Sequence, residues 1–291
     1  MEEVPKRKLG ELLFLYNTER DLRGDIFVEG PGDKLIVDYY LQSRRLRGRV
    51  YTMDSIDFSG VNFDELGLPH PSARSAVIAL CRELSMNGAQ VGSMLFIVDR
   101  DQEDIVPSPH INGVHLTDAG ALPVHIYDND AESKVCSLVL KHRMSESNLK
   151  RSVSAACFVL YAARAASKRL GISAKILPPS KDLSDDGQNG FVICKESYLL
   201  RCLTACGNSH QFPEFSVEVN SILERMASLG RSAYTFINDH DLFCVLKQII
   251  DKVGLSAVSI SDVENMMSMS ADANRLATHR LFCEIERIAT A

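Results

Sequence analysis

Met94-Leu95-Phe96-Ile97-Val98 is an unbroken apolar run that stops at Asp99. A strand with one face in water alternates apolar and polar residues, whereas a run without alternation fits a strand covered on both faces, as in a parallel sheet between helices. The flanking sequence supplies the other parts of such a sheet. Ile26-Phe27-Val28 reads as a strand ending at Glu29, followed by a Gly30-Pro31-Gly32 turn and a helical pattern at Leu35, Ile36, Tyr39 and Tyr40. Arg49 to Met53 reads as a second strand. Pro71 then falls in the first turn of a helix that places Ala73, Ala76, Val77, Leu80 and Leu84 on one face and stops at Gly88. His125-Ile126-Tyr127, ending at Asp128, is the expected fourth strand. Strands alternating with helices at this spacing predict an α/β fold with a parallel sheet flanked by helices.

From Ser145 the pattern changes. Leu149, Val153, Cys157, Leu160 and Ala163 form one helical stripe that ends near Gly171. Further helices are expected at 195–206, 216–229 and 239–253, and from Ser261 onward, where Ser261 and Glu264 fit a capping box. The last helix, with Leu281, Ile285 and Ile288, serves either as core or as an interface. Pro178 to Gly190 is polar and reads as a mobile loop. The expected organisation is a sheet domain over residues 20–140 and a mostly helical domain over 145–291.

Composition narrows the function. With 291 residues, 45% apolar and 24% charged, the chain has material for a large core. Its net charge of −6 excludes coating of nucleic acid by global charge, so any backbone contact must come from local basic patches. Leu12 to Leu15 is too short an apolar run for a leader or a spanning helix, which predicts a cytoplasmic protein with no membrane contact. The eight cysteines show no spacing suited to zinc and read as free thiols, Cys202 and Cys206 sharing at most a helix face. Gly30-Pro31-Gly32 lacks the downstream Gly-Lys-Ser/Thr of a phosphate loop, and no GxSxG elbow is present. Tyr39 and Tyr40 are expected on the buried helix face, so neither marks a tyrosine nucleophile.

What remains is acidic. Ligands of a parallel sheet gather beyond the carboxyl ends of its strands, and here the strand ends carry Glu29 with Asp33, then Asp99 with Asp101, then Asp128, Asp130 and Glu132. Oxygen-only clusters suit Mg2+ or Mn2+, and such an ion serves phosphate chemistry. The alternative for each acid is a helix cap or a solvated loop position, Asp33 above all. Two basic stretches accompany them. Arg44 and Arg45, with Arg47 and Arg49, are either phosphate contacts or a helix end that carries cations. Lys141, Arg143 and Lys150, with Arg151, stand closer in sequence to Glu132 and are the better candidates for a nucleic-acid backbone. Lys6, Arg7 and Lys8 read as a solvated tail, and His240 between two aspartates as a helix-start residue or a loop-orienting one.

Phe27-Val28-Glu29-Gly30-Pro31-Gly32-Asp33-Lys34 resembles the Toprim signature, and Val98-Asp99-Arg100-Asp101 resembles its Asp-x-Asp. The resemblance implies phosphodiester chemistry with a divalent ion, Glu29 acting as general acid or base and Asp99 and Asp101 holding the metal. A closer similarity is to a Toprim-like nuclease family with a helical C-terminal half, carried by Asp130-Ala131-Glu132, by Ile237-Asn238-Asp239-His240-Asp241-Leu242 and by Leu281-Phe282-Cys283-Glu284-Ile285. Asp239 stands where that pattern has glycine. The family includes the nuclease subunit of the PARIS anti-phage system, so the resemblance implies a toxic effector that cleaves RNA, transfer RNA in particular. It further implies restraint by an ABC-type ATPase partner and a homodimer when active. Two other classes remain open: an idle Toprim-like module that binds metal and a partner as a sensor, and a nucleotidyl- or glycosyltransferase using Asp99 and Asp101.

Overall fold

The computed structural model describes residues 6–18, 24–68, 72–108, 113–187, 190–255 and 258–290, so Pro71 lies outside the described residues. The chain begins with β1 (Arg7–Lys8), α1 (Leu9–Thr18), β2 (Asp25–Val28), α2 (Pro31–Arg44) and β3 (Arg49–Thr52). It continues through β4 (Ile56–Asp57), α3 (Ala73–Met86), β5 (Met94–Val98) and β6 (Val114–Leu116). Then come α4 (Asn129–Lys134), α5 (Glu146–Leu170), β7 (Leu183–Asp185), β8 (Phe191–Ile193) and α6 (Lys195–Thr204). The path ends with α7 (Phe212–Ser228), α8 (Asp239–Lys252), α9 (Ile260–Met269), α10 (Ala273–Leu276) and α11 (Arg280–Thr290). The architecture is mixed α/β, and no described helix is long and apolar enough to cross a membrane.

Two compact units result, and they do not follow a single cut between 140 and 145. One comprises Met1–Asp99, Pro109–Asp118 and Asp272–Ala291; the other comprises Arg100–Ser108 and Ala119–Ala271. The C-terminal segment belongs with the sheet unit because α11 carries a full apolar stripe (Leu281, Phe282, Ile285 and Ile288, all buried) and packs on β5 and β2. Of the two roles open to that helix, core is the one it takes.

In the sheet unit the strand order is β3-β2-β5-β6, all parallel. Every residue of β2 and β5 is buried, as the unbroken apolar run requires of central strands with helices on both faces. Phe27 stacks between Phe96 and Tyr51 on neighbouring strands, at ring separations of 5.0 and 5.3 Å. Helix α2 starts at Pro31, whose fixed φ and missing N–H suit a first turn. It buries Ile36, Val37, Tyr40 and Leu41; Tyr39 stays 37% exposed, against the expectation, because with Leu35 it forms the next stripe round the helix. Gly88, at φ +79, follows α3 and ends it as expected. Arg7 and Lys8 are exposed as expected of solvated residues, but they pair with Ile56 and Asp57 as short parallel strands rather than forming a tail.

The expected fourth strand is the main correction. Leu122–Ile126 is a 3-10 helix with Pro123 in its first turn, and the fourth strand is instead Val114–Leu116. Asp128 ends no strand: its carboxylate accepts the N–H groups of Asp130 and Ala131 as N-cap of α4.

The second unit is organised round α5, capped by Ser145 and closed by Gly171 at φ +65. Leu149, Val153, Cys157, Leu160 and Ala163 are all buried, and the helix packs on α7 and α8. The segment read as a mobile loop contains a 3-10 turn at Pro179–Lys181 and strand β7, which pairs antiparallel with β8 just beyond it; residues 188 and 189 lie outside the described ones. The capping box of α9 is formed by Ser259 and Asp262, two residues before the expected pair.

Candidate functional site

Strands β2 and β5 are adjacent and parallel, so their carboxyl ends share one edge of the sheet, and that edge is acidic. Glu29 follows β2 directly and reaches across to the end of β5, where its Oε1 accepts the backbone N–H of Asp99 at 2.9 Å. Arg74, on α3, donates to the Asp99 carbonyl. The Asp99 backbone is thus held from both sides, and Glu29 and Asp99 are brought together as the sequence predicts. Asp33 accepts the N–H of Gly30 at 3.0 Å and so caps the start of α2, the one half of a capping box that a glycine N-cap allows. A structural task therefore accounts for Asp33. The sequence reading missed Asp118, which follows β6 and is the acid at the end of the true fourth strand. Its carboxylate accepts the N–H of Leu281 at 2.9 Å, at the start of α11, and lies within 4.8 Å of the His279 imidazole.

The chain leaves the sheet unit after Asp99, and Asp101 belongs to the second unit. Asp101 has φ +45, a left-handed conformation that aspartate tolerates better than most residues. It is held there because its N–H donates to the Gly120 carbonyl at 2.9 Å, while the Gly120 N–H donates to the Tyr234 carbonyl at 2.9 Å. A Cβ at position 120 would sit 2.1 Å from the Ile237 carbonyl oxygen, so only glycine permits this close approach. Asn238, the N-cap of α8, points its amide nitrogen at Asp101 Oδ1, 3.5 Å away. Gly120 and Asn238 are positioning residues for the second acid of the Asp-x-Asp pair, and no local pattern flagged Gly120.

Glu132 lies on α4 and is 2% exposed. The hydroxyls of Tyr127 and Tyr234 face its carboxylate, although Glu132 Oε1 and the Tyr127 hydroxyl lack a well-formed hydrogen bond among the described residues. Lys150 Nζ is 4.0 Å from Oε2 and 5.7 Å from the centre of the Tyr234 ring. Burial pushes the Glu132 carboxyl up to about 7, nearby Lys150 pulling it back only in part. The folded state therefore keeps this proton to near neutral pH, whereas the unfolded chain releases it at about 4.3. Between those values the native state binds more protons, so stability falls as pH rises, by about 4 kcal/mol in all. Glu132→Gln is expected to remove that loss. Urea unfolding at pH 5 and pH 7.5 in chelator checks it, and an unchanged pH dependence in the variant refutes it.

Arg44 donates through Nε to Glu286 at 3.1 Å and through Nη1 to Asn274 at 3.3 Å, tying α2 to the C-terminal segment. Arg45 is the left-handed C-cap of α2, and Lys141 is exposed at φ +49 beyond Val139. Arg143 Nη1 donates to the Val253 carbonyl at 2.8 Å and so satisfies the end of α8. His240 lies in the first turn of α8, and the adjoining Asp241 is bound by Arg164.

Hard oxygen donors are what the carboxylates of Glu29, Asp99 and Asp101 offer, and Oε1 of Glu29 already meets the Asp99 N–H. This donor chemistry fits Mg2+ or Mn2+ and does not suit a soft metal. Comparison with protein families and with curated proteins finds no match.

Proposed function

We propose that the chain is a divalent-metal-dependent nuclease of Toprim-like type, acting on RNA. The observation that carries the reading is the Glu29 carboxylate laid across two parallel strand ends onto the first residue of the Asp-x-Asp pair. In this reading Glu29, Asp99 and Asp101 hold the ion, Mg2+ or Mn2+, which when bound would acidify water and offset charge on the phosphate. Glu29 receives the proton of the attacking water as the new P–O bond forms, and as the old P–O bond breaks that same proton passes to the leaving oxygen, which returns Glu29 to its carboxylate. The Arg74 contact to the Asp99 carbonyl and the Gly120 contact to the Asp101 N–H keep the two aspartates in fixed backbone positions.

The biological setting rests on resemblance to the family containing the PARIS nuclease subunit. It is a cytoplasmic, toxic anti-phage effector held inactive by an ABC-type ATPase and released as a homodimer. One observation favours a second reading, an idle metal-binding sensor module: Asp33 is committed to a helix cap, and one Glu29 oxygen to a backbone N–H. Purified protein incubated with end-labelled RNA and DNA in magnesium or manganese separates the two. The proposal expects shortened RNA, and intact strands of both kinds support the sensor.

A further inference from the structure

The second unit contains a cleft of about 410 Å³ beside Asp101, lined also by Gln102, Arg164, Ser167, Lys168 and Asn238. That size falls within the roughly 300–1,000 Å³ usual for ligand pockets. Arg164 and Lys168 are one turn apart on α5, so both side chains leave the same face of the helix. Arg164 is locked in place by Asp241, its Nη2 and Nε donating to the two carboxylate oxygens at 2.6 and 3.1 Å. That pairing leaves Nη1 without a hydrogen bond among the described residues, and Lys168 Nζ likewise has none. The cleft wall therefore presents one fixed planar cation and one mobile cation, both with donors to spare, next to an acid assigned to metal binding.

We propose that this cleft is a subsite for a phosphate of the nucleic-acid backbone, with Lys168 and the free edge of Arg164 as its donors. The proposal rests on the nuclease reading and names how the same site holds its substrate. Lys168 and Arg164 balance Asp241 and Asp101 in charge, so the cleft is neutral on its own groups. A divalent cation at Asp101 turns the balance to favour an anion, which ties strand binding to the metal-loaded state. Arg164 fixes direction, since a guanidinium edge presents its donors in a plane that matches phosphate oxygens; Lys168 supplies a point charge.

The test is fluorescence anisotropy of labelled single-stranded RNA and DNA with the full chain in calcium in place of magnesium, Glu29 being kept so that the carboxylates assigned to the ion are unchanged. Lys168→Glu is expected to weaken binding about tenfold and to lower the salt dependence by about one released counterion. Lys168→Arg should restore most of the affinity, and Lys252→Glu, on the exposed end of α8, should stay within about twofold of its parent. Circular dichroism confirms that each variant is folded. Equal loss from Lys168→Glu and Lys252→Glu, or no loss from Lys168→Glu, overturns the subsite, as does absence of binding by any form. Cleavage in magnesium is read separately. Lys168-dependent binding without cleavage keeps the subsite and sinks the nuclease, while cleavage unaffected by Lys168→Glu keeps the nuclease and sinks the subsite.

Discussion

Unrestrained expression of the wild-type chain is expected to halt growth, and Glu29→Gln at matched abundance is expected to be harmless. Glu29 Oε1 accepts the Asp99 N–H at 2.9 Å. A glutamine oxygen accepts the same hydrogen bond, so the two strand ends stay clipped together and stability should change by less than about 1 kcal/mol. The amide neither exchanges a proton as a carboxylate does nor offers a full negative charge to a cation. General acid–base catalysis alone supplies about 10²–10⁴-fold, and cleavage should fall by at least that much. Glu29→Ala serves as a contrast, because it also removes the acceptor and leaves a partly buried N–H unsatisfied, at a cost of about 1–3 kcal/mol. Equal toxicity from wild type and Glu29→Gln would mean that the harm comes from binding, and the sensor reading would replace hydrolysis.

Phe282→Ala is expected to produce the largest loss of stability of any change considered. Phe282 is 0% exposed and packs edge-on against Tyr40 of α2, with ring centres 4.7 Å apart. Removing a buried aromatic ring typically costs about 3–5 kcal/mol, since the transfer energy of the ring is lost and a cavity remains. The neighbouring contact reinforces the point: the Tyr40 hydroxyl donates to Glu286 at 2.7 Å, so α11 is fastened to α2 by an apolar and a polar tie within one unit. Denaturant unfolding measures the effect. A loss below about 1 kcal/mol would show that α11 is not part of the sheet unit's core.

The central strands were legible because burial on both faces leaves an unmistakable pattern, and Glu29 and Asp99 were legible with them as the residues that end those strands. Strand β6 was not, being only Val114–Leu116 and half-buried, with no long apolar run and an alternation of just three residues, too short to mark it. His125-Ile126-Tyr127 mimicked a strand because a short apolar run is equally compatible with a tight buried helical turn, and Pro123 initiates one there. Missing β6 meant missing Asp118 and assigning Asp128 to a strand end it does not occupy. The capping box of α9 was displaced for a similar reason, since Ser259-x-x-Asp262 and Ser261-x-x-Glu264 overlap and both satisfy the pattern. Glu132 entered the candidate site as an acid beyond the expected fourth strand, and a 3-10 turn rather than a strand precedes it. What makes it unusual is enclosure by Tyr127, Tyr234 and Lys150, and Tyr234 is too distant in sequence for any local window to link them. Gly120 belongs to the same class, its role being set by a backbone approach from Ile237.

Hydrolysis that depends on a divalent cation held by carboxylates must fail when that cation is withdrawn. The rate of cleavage of an end-labelled RNA strand is followed with magnesium and, in parallel, with excess chelator. The account predicts cleavage in magnesium that stops in chelator and returns when magnesium is restored. Cleavage that continues at the same rate in chelator would contradict it.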